Sequence, residues 1–294
     1  MKYYGSLEAG GTKMVCSVLD ENGNMLERVS LPTLTPAETM PALIDFFKSK
    51  QIDALGVASF GPVDLNPASP TWGYITSTPK LAWRDYPLTP ELKDALNVPV
   101  GLDTDCNAAA LSEWQLGAAR GLQSCVYVTV GTGIGAGLVV EGNLVHGLVH
   151  SELGHILLKA LPQDPSPLGF CPYHKSCLEG LANGPAIQQR WGKPAQELPP
   201  EHPAWALEAE YLAQMCWNTL VTLSPEKIIL GGGVMQQSHL FPMIRERVKA
   251  ISGDYVRHPM TETFADYIVP PGLGTNSGVM GAYLLAKKAW EDAQ

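Results

Sequence analysis

The chain has 294 residues, 45% of them hydrophobic, with 20 Lys and Arg against 29 Asp and Glu for a formal net charge of -9. That length can bury two cores of ordinary domain size, while the acidic balance argues against nucleic acid as the main partner, because phosphate backbones are bound by clustered Lys and Arg. No apolar segment follows the first five residues and no stretch approaches the roughly 20 apolar residues of a membrane span, so a cytoplasmic protein with no membrane partner is expected.

Residues 3–9 and 14–19 read as strands joined at Gly10-Gly11, which predicts a hairpin with a glycine tip. Asn22-Gly23 is a second turn signal, ahead of a strand over 25–31. A helix over 36–49 with Pro at its start and a buried strand over 54–60 follow. Residues 61–84, rich in Pro, Ser and Thr, form a loop long enough to suggest a function. A short helix over 89–96, a short strand over 100–103 and a helix over 107–117, begun near Asp105, complete a first half. The pattern then restarts. Strands over 125–130 and 134–140 flank the turn Gly131-Thr132-Gly133, so a second glycine-tipped hairpin opens a second half. The Pro and Asp content of residues 160–169 suits a lid or a passive connection equally. Helical spacing over 203–223, a buried strand over 227–230 ending in Gly231-Gly232-Gly233, and a final helix over 276–290 complete a mixed α/β pattern.

The most specific motif is Cys171-Pro172-Tyr173-His174-Lys175-Ser176-Cys177, downstream of Glu152-Leu153-Gly154-His155. Two thiols and one imidazole at intervals of three, with His155 from upstream, form the Cys2His2 set that tetrahedral zinc takes in closed, structural sites. A closed site leaves no position for an activated water, so the neighbouring carboxylate, Glu152, is the working group and the metal its anchor. The plainer alternative is an ordinary histidine beside a packed loop. The spacing outweighs it. The remaining cysteines, Cys16, Cys106, Cys125 and Cys216, lie in apolar segments and read as reduced core thiols.

Glycine turns let backbone N–H groups approach phosphate oxygens without interference from a Cβ. Gly10-Gly11-Thr12-Lys13 and Gly131-Thr132-Gly133 each add a hydroxyl, and the first adds an ammonium. Either turn alone is more simply a tight hairpin. Together, with the third glycine run at Gly231, they point to a nucleotide, although neither is a P-loop. Between the halves, Asp103-Thr104-Asp105 stands where a strand gives way to an Ala-rich helix. Phosphoryl transfer to an alcohol needs a carboxylate to accept the hydroxyl proton, and Asp105 is the candidate. Helix capping is its alternative role, compatible with the first.

These motifs, with Ser59-Phe60-Gly61-Pro62-Val63-Asp64 and Leu178-Glu179-Gly180-Leu181-Ala182-Asn183-Gly184-Pro185, resemble the ROK (repressor, open reading frame, kinase) family over nearly the whole chain, and most closely its bacterial fructokinase branch. The resemblance implies a two-domain, actin-like ATPase fold built on ribonuclease-H-like halves with an active-site cleft between domains. Residues 1–115 plus a C-terminal helix over about 275–294 would form one domain and residues 116–274, with the zinc loop, the other. It implies an ATP-dependent kinase converting D-fructose to fructose 6-phosphate. Asp105 would be the base, and Gly61, Pro62, Thr104, Asp105, Glu152 and His155 would contact sugar. Gly10, Gly11, Thr12, Lys13, Thr132, Gly133, Gly184, Gly231, Gly232, Gly233 and Val234 would hold nucleotide. His155, Cys171, His174 and Cys177 would hold zinc, and Mg2+ would arrive with ATP, possibly through a water on Glu8. A homodimer is implied as well.

Two departures from the wider family narrow the substrate. His174 stands where the commoner zinc run has a thiolate, as in the fructokinase branch. Thr104 replaces the Asn usual in ROK glucokinases, which puts glucose in doubt, since loss of one buried polar partner changes preference by orders of magnitude. The alternatives are a kinase preferring mannose, glucose or N-acetylmannosamine, or a non-catalytic sugar or nucleotide sensor. A DNA-binding repressor is disfavoured, because the phosphate turn begins within the first ten residues.

Overall fold

The computed structural model describes all 294 residues. Five strands, β1 (Tyr3–Ala9), β2 (Lys13–Asp20), β3 (Met25–Pro32), β4 (Ala54–Ser59) and β5 (Val100–Thr104), form a sheet of order β3-β2-β1-β4-β5. The first three pair antiparallel, through the turns that Gly10-Gly11 and Asn22-Gly23 announce, and β4 and β5 add in parallel. Parallel addition needs a crossover helix. α1 (Pro36–Lys48) supplies the first, opened by a capping box in which Thr35 and Glu38 engage one another, and α2 (Leu88–Leu96) the second. Residues 61–84 lie between β4 and α2, with a 3-10 turn at Leu81–Trp83 and isolated bridges from Ile75 to Val63 and Tyr86.

A second sheet, from β6 (Cys125–Val130), β7 (Ile134–Val140), β8 (Asn143–Leu144), β9 (Ile228–Gly231) and β10 (Ile268–Val269), has the order β10-β9-β6-β7-β8. Read from β8, this is the order of the first sheet: an antiparallel hairpin, then two strands added in parallel to its first member. Its helices are α4 (Leu178–Ala182), α5 (Gly184–Trp191), α6 (Ala204–Leu223) and α7 (Leu240–Ser252). α3 (Asp105–Gln115) leaves the end of β5, and α8 (Ser277–Asp292) closes the chain.

The molecule divides into two compact units: residues 1–112, 144–150 and 276–294 in one, and 113–143 and 151–275 in the other. In the first, α8 covers β1, β4 and β5 so closely that a Cβ on Gly56 would fall 1.7 Å from the carbonyl oxygen of Ala282. Only glycine permits that approach. The opposite face buries Leu7, Met14, Leu43, Phe47, Leu55 and Trp83 under α1 and α2. In the second unit, α6 buries Trp205, Tyr211, Leu212, Met215 and Cys216 completely. All six cysteines are buried and none is in a disulfide, and burial pushes the Cys16 and Cys125 thiols up to about 12, which keeps them protonated and inert. No helix is long and apolar enough to cross a membrane.

Candidate active site and metal centre

In the first unit the glycine tip is a tight turn: Gly10 N–H donates to the carbonyl of Lys13 at 3.0 Å, and Thr33 fixes it by donating Oγ1–H to the Gly10 carbonyl at 2.7 Å and N–H to the Thr12 carbonyl at 3.0 Å. Gly10 and Gly11 are half-buried, whereas Thr12 and Lys13 are exposed. Glu8 lies one residue before the end of β1, against the start of α8, where a Cβ on Gly278 would meet its carboxylate at 2.5 Å. Burial raises the carboxyl's pKa, opposed by the charges of Arg28 and Lys13.

At the end of β5 the polar groups are divided among separate tasks. Thr104, not Asp105, supplies the cap of α3, accepting Asn107 N–H on Oγ1 at 3.0 Å. The Thr104 side chain is accordingly buried. Asp105 stands in the first turn, half-buried, its Oδ1 accepting Cys106 N–H at 2.8 Å. The helix N-terminus favours its ionised form. Asp103 is buried and accepts from Thr104 N–H and Asn107 Nδ2 on one oxygen and from His146 Nε2 on the other, each at 2.8 Å. The hydrogen bond to Asp103 raises the pKa of His146, against partial burial, and the carboxylate charge adds to the rise.

His146 belongs to a short segment, residues 144–150, that packs with the first unit and carries a second histidine. Val63 N–H donates to His150 Nε2 at 3.2 Å, and the same ring lies 3.2 Å from where a Cβ on Gly61 would be. The segment thus places one histidine beside the Asp103 carboxylate of β5 and the other beside Gly61 and Val63. Neither was singled out from sequence, where no cysteine stands at ligand spacing beside the pair. Their partners are 43 and 87 residues away.

In the second unit, Glu152 precedes a 3-10 turn at Leu153–His155 that rests directly on β7, with the Ile134 carbonyl 1.8 Å from where a Cβ on Gly154 would be. His155 Nε2 is 3.9 Å from Glu152 Oε2. Its Nδ1 turns the other way, 3.5 Å from Cys177 Sγ and 4.0 Å from Cys171 Sγ, while His174 Nδ1 is 3.8 Å from Cys171 Sγ. The ligand atoms of these four residues lie within 4.8 Å of one another. Zinc with bonds of about 2.0–2.3 Å needs tetrahedral ligand atoms about 3.3–3.8 Å apart. The quartet fits that ion, and its knuckle is preformed: Cys171 and Lys175 exchange backbone hydrogen bonds, and His174 N–H points at Cys171 Sγ from 3.5 Å.

The glycines of this unit converge on one end of its sheet. Gly184 N–H donates to the Gly131 carbonyl at 2.8 Å, and Asn183 Nδ2 to the Thr132 carbonyl at 2.9 Å. Gly232, at φ +92°, has the Val130 backbone 2.4 Å from any Cβ it could carry, and the buried Val234 side chain packs beside Gly184. Thr132 and Gly133 remain exposed at the tip. Glu179, quoted from sequence only within a longer run, proves to hold this tip: its Oε2 accepts Ile134 N–H at 2.9 Å. As Cys177 leads directly into α4, the Cys/His knuckle and the turn are joined through two residues. Residues 160–169 form an anchored connection. Asp164 is buried, accepts from Arg190 Nε at 2.8 Å and Tyr211 Oη at 2.7 Å, and so ties the segment to α5 and α6.

The ROK family profile matches residues 4–289. The fructokinase of Pediococcus pentosaceus is 47% identical over 289 residues, covering 98% of this chain and 99% of that one, and the fructokinase of Zymomonas mobilis is 42% identical over 296, covering 98% and 97%. Among solved structures, the ROK hexokinase of Thermus thermophilus superimposes with a TM-score of 0.77 at 28% identity, covering 99% of each chain. The shared architecture is the actin-like ATPase fold, in which two sheets of the same strand order carry the glycine-tipped hairpins described above. With the profile matched almost end to end and relatives this similar in sequence, the chain belongs to the ROK family.

Proposed function

We propose that the protein is a fructokinase, transferring the γ-phosphoryl group of ATP to the 6-hydroxyl of D-fructose to give fructose 6-phosphate and ADP. The observation that carries this reading is the 47% identity to a fructokinase over nearly the whole of both chains. In the reaction the sugar O6 forms a bond to the γ-phosphorus, the bond from that phosphorus to the β–γ bridging oxygen breaks with its electron pair leaving on ADP, and the hydroxyl proton passes to Asp105. Asp105 is supported as the base by its half-exposed place at the start of α3, where its neighbours Asp103 and Thr104 are already committed to structural hydrogen bonds. Glu152 and His155 take sugar hydroxyls in this reading, and Gly61 with Pro62 lines the sugar from the loop that His150 supports. Gly10 to Lys13 and the cluster of Gly131, Thr132, Gly133, Gly184 and Gly231 to Val234 hold the nucleotide, the glycines because backbone N–H groups there are reachable by phosphate oxygens.

Magnesium would arrive with ATP and be met through a water on Glu8, a half-buried carboxylate one residue from the first phosphate turn. Bound with ATP, it supplies neutralisation of charge on the β- and γ-oxygens. Zinc is held by His155, Cys171, His174 and Cys177, and its role is to fix the turn that presents Glu152. A homodimer belongs to the same proposal and is checked by light scattering of the purified protein. The function itself is tested by a coupled ADP assay with Mg2+ on fructose, mannose, glucose and N-acetylmannosamine. Turnover led by fructose is expected. A lead for another sugar would overturn the fructose assignment and keep the kinase, and absence of turnover on all would return the protein to the sensor class.

A further inference from the structure

The phosphate turn of the first unit has a cation laid across it that its own sequence does not supply. Lys80, from the long loop between β4 and α2, passes over the tip of the β1–β2 hairpin, with its Cε 3.1 Å and its Cδ 3.9 Å from the position a Cβ on Gly11 would occupy. A side chain on residue 11 would crowd that stem, so the lysine passes closest where the turn carries no Cβ. The approach is built into the loop and is not left to a free side chain. Lys80 N–H donates to Oγ1 of the buried Thr78 at 3.3 Å, and the Lys80 carbonyl accepts Trp83 N–H at 2.8 Å. Trp83 is 1% exposed, stacks edge-on with Phe60 and Tyr86, and donates its indole N–H to the Leu34 carbonyl at 2.6 Å. The backbone on both sides of Lys80 is therefore clamped to the core beneath the turn. The ammonium pairs with no carboxylate in the structure, although acidic residues outnumber basic ones by 29 to 20.

Holding a half-buried lysine over the Gly10–Gly11 turn concentrates positive potential there, and an anionic ligand relieves it. Lys13, the cation read from the motif, is an exposed residue at the start of β2, and its carbonyl closes the turn. We propose that Lys80 is a catalytic residue that contacts the phosphoryl oxygens of ATP at the Gly10–Gly11 turn, stabilising the charge on the group in transfer. The inference rests on the kinase reading above for its ligand. Lys80 forms no covalent bond and gives up no proton; it acts as a fixed charge, the element that phosphoryl transfer requires beyond a metal ion.

The test uses the full-length protein with Lys80→Met, which keeps the stem over Gly11 and removes the charge, and Lys80→Arg, which keeps the charge. Calorimetric binding of ATP, ADP and adenosine is measured for each, along with fructose turnover. The expected result is an ATP affinity at least fivefold weaker in Lys80→Met, adenosine affinity unchanged, kcat reduced by roughly tenfold or more, fructose KM within about twofold of wild type, and partial recovery in Lys80→Arg. ATP affinity and kcat equal to wild type in Lys80→Met would overturn the proposal. So would equal losses for ATP and adenosine, which mark damage to the turn and not a lost charge. Because the comparison of ATP with adenosine does not depend on turnover, it decides the role of Lys80 even if the wild-type protein phosphorylates none of the sugars, an outcome that would count against the fructokinase reading alone.

Discussion

Asp105 and Asp103 are two residues apart and have opposite surroundings. Asp103 is enclosed and accepts three hydrogen bonds, while Asp105 is half-exposed at a helix start. The proposed base is the carboxylate that is half-exposed at the helix start, not the one enclosed beneath it. Asp105→Asn should lower kcat by roughly 10²–10⁴, the range of general-base contributions, with ATP binding retained; a kcat near that of wild type would remove Asp105 from the mechanism. The raised pKa of His146 depends first on its bond to Asp103. Its stabilising effect is fully present below the unfolded value of about 6.5 and is lost as pH rises through the higher folded value. Histidine resonances followed by NMR should therefore show one ring titrating above about 6.5, returning to the ordinary value in Asp103→Asn. An unshifted ring in the wild-type protein would contradict the pairing. At this scale the gathering of the Cys/His quartet was legible, because its motif is local. The sequence could not disclose His146, His150 or Lys80, since their significance lies in contacts across long separations or with a turn elsewhere in the chain.

Elements with strong local signals were legible and weakly marked ones were not. β1, β6 and β7 fall on the residues that their apolar runs and glycine tips predict, because a hairpin encodes its strands and its turn together. α4 and α5 have five and eight residues and contain glycine, β8 and β10 have two each, and such lengths offer no periodicity to detect. α7 was passed over although it spans 13 residues, since Pro242 near its start reads as a breaker where it in fact occupies the first turn. Among connecting segments, 160–169 was ambiguous in sequence and is resolved by one buried ion pair, with Arg190 and Asp164 side chains 1% and 0% exposed. Removing one partner strands the other charge in the core. Asp164→Asn should destabilise the fold by about 3–5 kcal/mol in urea titration, and a loss under about 1 kcal/mol would mean that water replaces the contact.

For the whole molecule, the division into two compact units predicts where each disturbance stops. Zinc analysis of freshly purified protein should find about one ion per chain. Chelation should then accelerate hydrogen exchange over residues 131–134 and 152–191, where the Cys/His quartet, Glu152 and the Glu179-held turn are joined, and leave β1 to β5 protected. Uniform acceleration along the chain would show that the quartet supports more than its own unit, and no acceleration would remove it as a structural metal site. Cys177→Ser should reproduce the chelated pattern without chelator.

Both sheets use one strand order, so the chain can be regarded as a single plan executed twice, and the two executions can be compared position by position. They diverge most at one point, between the third and fourth strands. In the first copy that interval, from β3 to β4, holds α1 and little else; in the second, from β8 to β9, it holds the paired histidines, Glu152, the Cys/His knuckle and α4 to α6. The second copy of the plan thus carries one long insert where the first has a short connection, and that insert holds Glu152 and the whole Cys/His quartet together.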